Sequence, residues 1–107
     1  YQIHITYILC MAYFEWDENK NRLNQQKHKI AFEDATDVFN DKDRLEFRSD
    51  KEGERRSLTI GKAFQAIITV VYTTRDLWIR LISARRASAD ERRAYLSNKL
   101  KEKDHDA

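Results

Sequence analysis

The chain has 107 residues, 41% of them hydrophobic and 36% charged, with two glycines, no proline and a formal net charge of +2. That length holds one modest core and one domain, and so little glycine and proline excludes a flexible linker, a collagen-like tract and a glycine-cradled phosphate loop. Residues 14–54 carry eight basic against twelve acidic side chains, and residues 75–103 carry nine against four, so the C-terminal part is the place to look for an anionic partner.

The apolar start has no basic leader and no small-residue cleavage site, and it is too short to span a bilayer. Met11 stands immediately before the patterned part of the chain and is read as the natural start. Residues 1–10 are therefore read as a non-native or upstream extension whose β-branched and aromatic content could add an edge strand, residues 11–103 as the domain and 104–107 as a charged tail. The single cysteine, Cys10, can close no internal disulfide, which fits a reducing, cytoplasmic setting without a membrane.

Ala12–Trp16 reads as a short strand. Asp17 caps a helix that carries Glu18 in its first turn and runs to about His28, with Leu23 as its main apolar residue. A second helix is expected over Ala31–Phe39, where Phe32, Ala35, Val38 and Phe39 recur at helical spacing, with Asn40 as its stop. From Asp43 the period changes to two. Leu45 and Phe47 mark a half-exposed strand, Ser49–Gly53 a turn, and Arg56, Leu58 and Ile60 the next strand, with Gly61-Lys62 as a tight turn. Phe64–Thr73, apolar on both faces, is a central strand, and Leu77–Ala84 is the last. Ser88 and Glu91 form a capping box before a final helix with Tyr95, Leu96 and Leu100 on one face. The fold class is α+β, with element order β-α-α-β-β-β-β-α. Short turns make consecutive strands antiparallel, giving a sheet of about four antiparallel strands with helices packed on it.

The three histidines, His4, His28 and His105, lie far apart and show no zinc spacing, so no metal and no cofactor are expected. Acidic residues are numerous enough to leave a magnesium site open, but no cluster at a strand end marks one. Cys10 has no evident base beside it, and a G-x-S-x-G elbow is missing. What remains is cationic. Lys20, Asn24 and Lys27-His28 fall on one stripe of the first helix, which is either a solvated face or a binding surface. Arg80 interrupts an apolar strand, where a guanidinium needs an anion, water or a carboxylate such as Glu46 or Glu54. In a fully extended strand Arg86 shares the face of Arg80, and Arg85 points the other way unless the strand twists or bulges. Arginine offers bidentate donors to phosphoryl oxygens. Histidine is the side chain whose ordinary pKa lies nearest neutrality, so His28 is the first candidate for proton transfer, or else a cap for helix-end carbonyls.

Phe14-Glu15-Trp16-Asp17, Lys20, Asn24, Lys27-His28, Ile30, Phe32, Ala35 and Phe39 resemble the opening of BrnT-type ribonuclease toxins. Ile60-Gly61, Val70-Val71-Tyr72-Thr73, Arg80, Ile82-Ser83-Ala84-Arg85, Ala87, Glu91-Arg92 and Tyr95 continue the likeness. Two positions depart from the pattern. Lys29 stands where the family usually has glycine, and Lys42 where it often has proline; both affect turns. The resemblance implies a RelE-like fold and metal-independent RNA cleavage by 2′-hydroxyl attack. It also implies neutralisation by a BrnA-like ribbon-helix-helix antitoxin in a heterotetramer that meets operator DNA only through the antitoxin. On this reading His28, Lys27, Arg80 and Arg85 are the catalytic candidates, and Lys20, Arg56, Arg86 and Arg92 guide the RNA backbone. The rival reading is a catalytically inactive antitoxin-binding module of the same fold. A DNA-binding protein is a weaker third, because no helix is strongly basic at its first turn.

Overall fold

The structure is a computed structural model that describes residues 3–9, 12–51 and 53–105, with side chains within Tyr13–Leu100. Cys10, Met11, Asp106 and Ala107, on which the disulfide, start-site and tail expectations bear, lie outside the described residues. The strands are β1 (Ile3–Leu9), β2 (Ala12–Asp17), β3 (Leu45–Arg48), β4 (Ser57–Ala63), β5 (Ala66–Arg75) and β6 (Trp78–Arg86). The helices are α1 (Glu18–His28), α2 (Phe32–Ala35), which tightens into a 3-10 turn over Thr36–Asn40, and α3 (Ala89–His105). None of the described helices is long and apolar enough to cross a membrane.

The α+β class and the element order agree with the sequence reading, while the sheet is wider and of mixed direction. Strands β3 to β6 form the antiparallel meander. At the other edge β2 lies parallel to β6, pairing Tyr13, Phe14 and Glu15 with Trp78, Ile79 and Arg80. With β1 antiparallel to β2, the order is β1-β2-β6-β5-β4-β3 across six strands. Parallel neighbours require a long crossover. Here the crossover carries α1 and α2 before the chain reaches β3 at the far edge and returns. A pattern of short turns reports only on consecutive strands, so it could not reveal this closing pair.

The larger core lies between the sheet and the α1–α2 segment. Phe14, Trp16, Phe32, Ala35, Val38, Val70, Leu81 and Ala84 are buried there, with Trp16 edge-on to Phe32 at 6.0 Å between centroids. On the opposite face α3 seats Tyr95 against Ile60 and Ile67. The Tyr95 hydroxyl donates to Asp41 Oδ2 at 2.5 Å, and the same carboxylate accepts from the N–H groups of Lys62 (2.8 Å) and Asp43 (2.9 Å). Burial acts to raise the Asp41 pKa, but those three bonds together with the charge of Lys99 outweigh it and hold the carboxyl below its ordinary range. The expected apolar face of α3 ends there, since Leu96 and Leu100 are exposed.

Two local expectations change, and the docking of α1 is new. The second helix is only partly α-helical. Leu23 points to solvent at 62% exposure, because α1 docks through Asn21 and Asn24 rather than through apolar residues. Gly61 lies inside β4, and the turn falls at Phe64-Gln65. The glycine answers to close packing: a Cβ there would stand 2.7 Å from Val38 Cγ1 and 3.1 Å from Arg44 Cβ. Gly61→Ala should therefore destabilise the domain by about 1–3 kcal/mol, a fall in Tm of at least ~4 °C in a chain this small. An unchanged melting curve would show that the 3-10 turn can move aside.

Candidate functional site

Helix α1 continues directly from β2. Asp17 ends the strand and caps the helix, its carboxylate accepting from the N–H of Asn19 at 2.8 Å and of Lys20 at 3.4 Å. Beyond Arg80, β6 has lost β2 as a neighbour, and α1 runs alongside in its place. Asn24, 7% exposed, supplies the missing strand contacts. Its Nδ2 donates to the Ala84 carbonyl at 2.8 Å, and its Oδ1 accepts from the Ala84 N–H at 3.1 Å. The same Nδ2 donates to Ile30 O at 2.9 Å. Asn21, one turn earlier, accepts from the Phe32 N–H at 2.9 Å and donates to Glu33 at 2.8 Å, tying α1 to the start of α2. At the end of α1 Lys29 adopts a left-handed backbone, with φ at 62°. The turn that usually employs glycine is thus kept, at a steric cost a lysine has to bear.

This docking opens a pocket of about 380 Å³ between α1 and the second half of β6. Lys20, Leu23, Asn24, Lys27 and His28 line it from the helix, Ile82 and Ser83 from β6, and Arg56 from the segment before β4. No carboxylate is among these lining residues. Among the described residues, no ion-pair partner stands beside the amino groups of Lys20 or Lys27. Arg56 is shared with Glu54, whose Oε2 lies 2.7 Å from Nη2. An opening with three cations, an imidazole and a hydroxyl is suited to a phosphodiester.

Four of the sequence-derived candidates, Lys20, Lys27, His28 and Arg56, thus converge. The other four are placed elsewhere. Arg80 sits 3.6 Å from Glu15 on the parallel neighbour β2, not beside Glu46 or Glu54. Arg85 meets Glu91 bidentately, Nη1 to Oε1 at 2.7 Å and Nη2 to Oε2 at 3.0 Å. Arg86 lines a different cavity, and Arg92 is exposed on α3. Strand β6 carries a bulge: Val71 pairs with Ser83 but Tyr72 with Leu81, leaving Ile82 as the extra residue. Thr73, Val71 and Thr69 therefore face Arg80, Ser83 and Arg85 in one column, and Arg86 falls on the other face. Sequence reading missed Ser83 and the structural role of Asn24. Both belong to the quoted pattern, but neither is charged, and nothing local to them signals a contact across the chain.

Glu91 joins Arg85 to the capping box. It accepts from Ser88 N at 2.8 Å and Thr69 Oγ1 at 3.0 Å, while its own N–H donates to Ser88 Oγ at 3.2 Å. The Arg85 bond is the main cause that lowers the Glu91 pKa from 4.5 to about 2, against the opposing effect of burial. A depressed carboxylate adds stability that is complete above its unfolded value and is lost as the pH falls through its folded one. The Tm gap between the unaltered protein and Glu91→Gln should be full above pH 4.5 and close as the pH falls toward about 2. A gap that persists undiminished at the acid end would mean that the ionised carboxylate is not the source.

Among the described residues no group of three His, Cys, Asp or Glu side chains is placed to hold a metal ion. Residues 16–91 match the family model described as "Ribonuclease toxin, BrnT, of type II toxin-antitoxin system". Comparison with curated proteins gives no match.

Proposed function

The chain belongs to the BrnT family of ribonuclease toxins of type II toxin–antitoxin systems, and from that premise we propose that the pocket beside α1 cleaves RNA without a metal ion. Membership implies an RNA substrate and an antitoxin partner. The observation that supports the finer reading is the convergence of Lys20, Lys27, His28 and Arg56 on a lining without carboxylates.

In the proposed reaction the 2′-oxygen of one nucleotide forms a bond to the adjacent phosphorus as its proton leaves. The bond from phosphorus to the 5′-oxygen breaks, and that oxygen takes a proton. The products are a 2′,3′-cyclic phosphate and a 5′-hydroxyl. His28 moves the proton. Lys27 and Arg56 face the charge that builds on the non-bridging oxygens. Lys20, one turn or more earlier on α1, holds the neighbouring backbone phosphate. Ser83 is a hydroxyl donor on the opposite wall. Arg85, occupied by Glu91, is a positioning residue that holds the end of β6 against α3. Arg80, in the same column as Ser83, adds positive potential at the pocket's edge, and Arg92 guides RNA from farther out. The antiparallel meander with helices supports a RelE-like fold. The proposal includes a BrnA-like ribbon-helix-helix antitoxin that neutralises the toxin in a heterotetramer. The inactive-module reading draws on the carboxylates that occupy Arg56, Arg80 and Arg85.

Purified protein should cleave single-stranded RNA in EDTA and leave 2′,3′-cyclic ends. Lys27→Ala should lower the rate roughly a hundredfold or more and His28→Ala about 10²–10⁴-fold, both with unchanged Tm. Arg85→Ala should lower activity and Tm together, because Glu91 is left partly buried and unpaired. Cleavage abolished by EDTA would sink the metal-free mechanism, and no cleavage under any condition would favour the inactive module.

A further inference from the structure

A second cavity, of about 170 Å³, lies on the other side of the α1 C-terminal turn. Residues Lys27 and His28 line the first pocket and the next two, Lys29 and Ile30, line this one. Asn24 forms a wall of the first and bonds the Ile30 carbonyl of the second. A strand of RNA crossing the turn would pass both. The floor is apolar, with Ile30 and Ile68 the largest of its side chains, and the rim carries Lys29, Arg86, Asp34 and Phe64.

Phe64 is the unusual member. It occupies the two-residue turn between β4 and β5 with φ at 58°, a left-handed backbone that a bulky side chain rarely adopts and that glycine or asparagine would take more cheaply. Its ring is 70% exposed, so core packing does not account for an aromatic residue there. Among the described residues, no hydrogen bond or ion pair engages the Asp34 carboxylate or the Arg86 guanidinium. An exposed aromatic, an open carboxylate and two flanking cations around an apolar floor have the chemistry to bind a nucleobase with its phosphates.

We propose that this cavity is a base-specificity subsite of the RNA-cleaving pocket, taking a guanine one or two nucleotides from the cut. The inference rests on the ribonuclease reading above. Phe64 stacks on the base, as aromatic side chains do with unpaired bases. The Asp34 carboxylate offers two acceptor oxygens, and guanine is the base whose pairing edge presents two adjacent N–H donors to them. Arg86 and Lys29 hold the phosphates on either side, which gives Arg86 a backbone contact in this second cavity rather than in the first.

The test is to sequence the cut sites of the purified protein on a mixed single-stranded RNA. The unaltered protein should cut with guanine enriched at one fixed position beside the scissile bond. Phe64→Gly relieves the turn and so should not lower Tm, but it should reduce cutting at guanine-flanked sites about five- to a hundredfold, the range for loss of one base stack. Asp34→Asn should weaken the guanine preference. Lys27→Ala should slow all sites alike and leave the preference intact. Cleavage with no base preference, with another base preferred, or with a preference unchanged in Phe64→Gly overturns the subsite while the ribonuclease reading stands. No cleavage by the unaltered protein overturns both.

Discussion

The site depends on one buried amide. Where β2 ends, the edge of β6 is left with an unpaired N–H and carbonyl at Ala84, and a buried backbone pair without partners costs several kcal/mol. Asn24 meets both groups from a helix, at 3.1 and 2.8 Å, and uses its remaining donor on Ile30. With Asn21 fastening α2 in the same way, α1 is held by directional bonds rather than by an apolar stripe. Directional docking fixes rotation about the helix axis, as apolar contact does not. Rotation decides whether Lys20, Lys27 and His28 face β6 or solvent, so the polar interface sets the composition of the pocket.

The opposite wall is set by an extra residue. The bulge at Ile82 places Ser83 and Arg85 in the column begun by Arg80, so that three polar residues share a face that unbroken alternation would have split. Arg85 then reaches Glu91, which also satisfies Ser88 and Thr69. The start of α3 is thereby tied to β6 and β5 by one carboxylate. The strand that lines the pocket is braced from one side by α1 and from the other by α3.

Much of this was legible in the sequence because it is local. Asp17 as a cap, the Ser88–Glu91 box and the alternation in β4 to β6 depend on residues within a few positions of one another. What was not legible is long in range. The parallel pairing of β2 with β6 joins residues more than sixty positions apart. The Glu15 partner of Arg80 follows from that pairing, so a carboxylate was sought on the wrong strands. The docking of α1 was not legible because its main apolar residue, Leu23, is exposed and the helix docks by two asparagines. Gly61 looked like a turn because the crowding by Val38 that excludes a side chain comes from another element. Lys20, Lys27 and His28 were recognisable because one helix face carries them all. Arg56 joins them only through the fold.

The most direct measurement is an NMR titration of the intact protein with a short RNA that carries 2′-deoxy sugars and so cannot be cut. If the pocket beside α1 is where RNA is held, amide shifts will concentrate at Lys20, Lys27, His28, Ser83 and the segment around Arg56, and will weaken as salt is raised. Shifts confined to α3 and the β3 edge, with the α1 residues silent, would contradict the account.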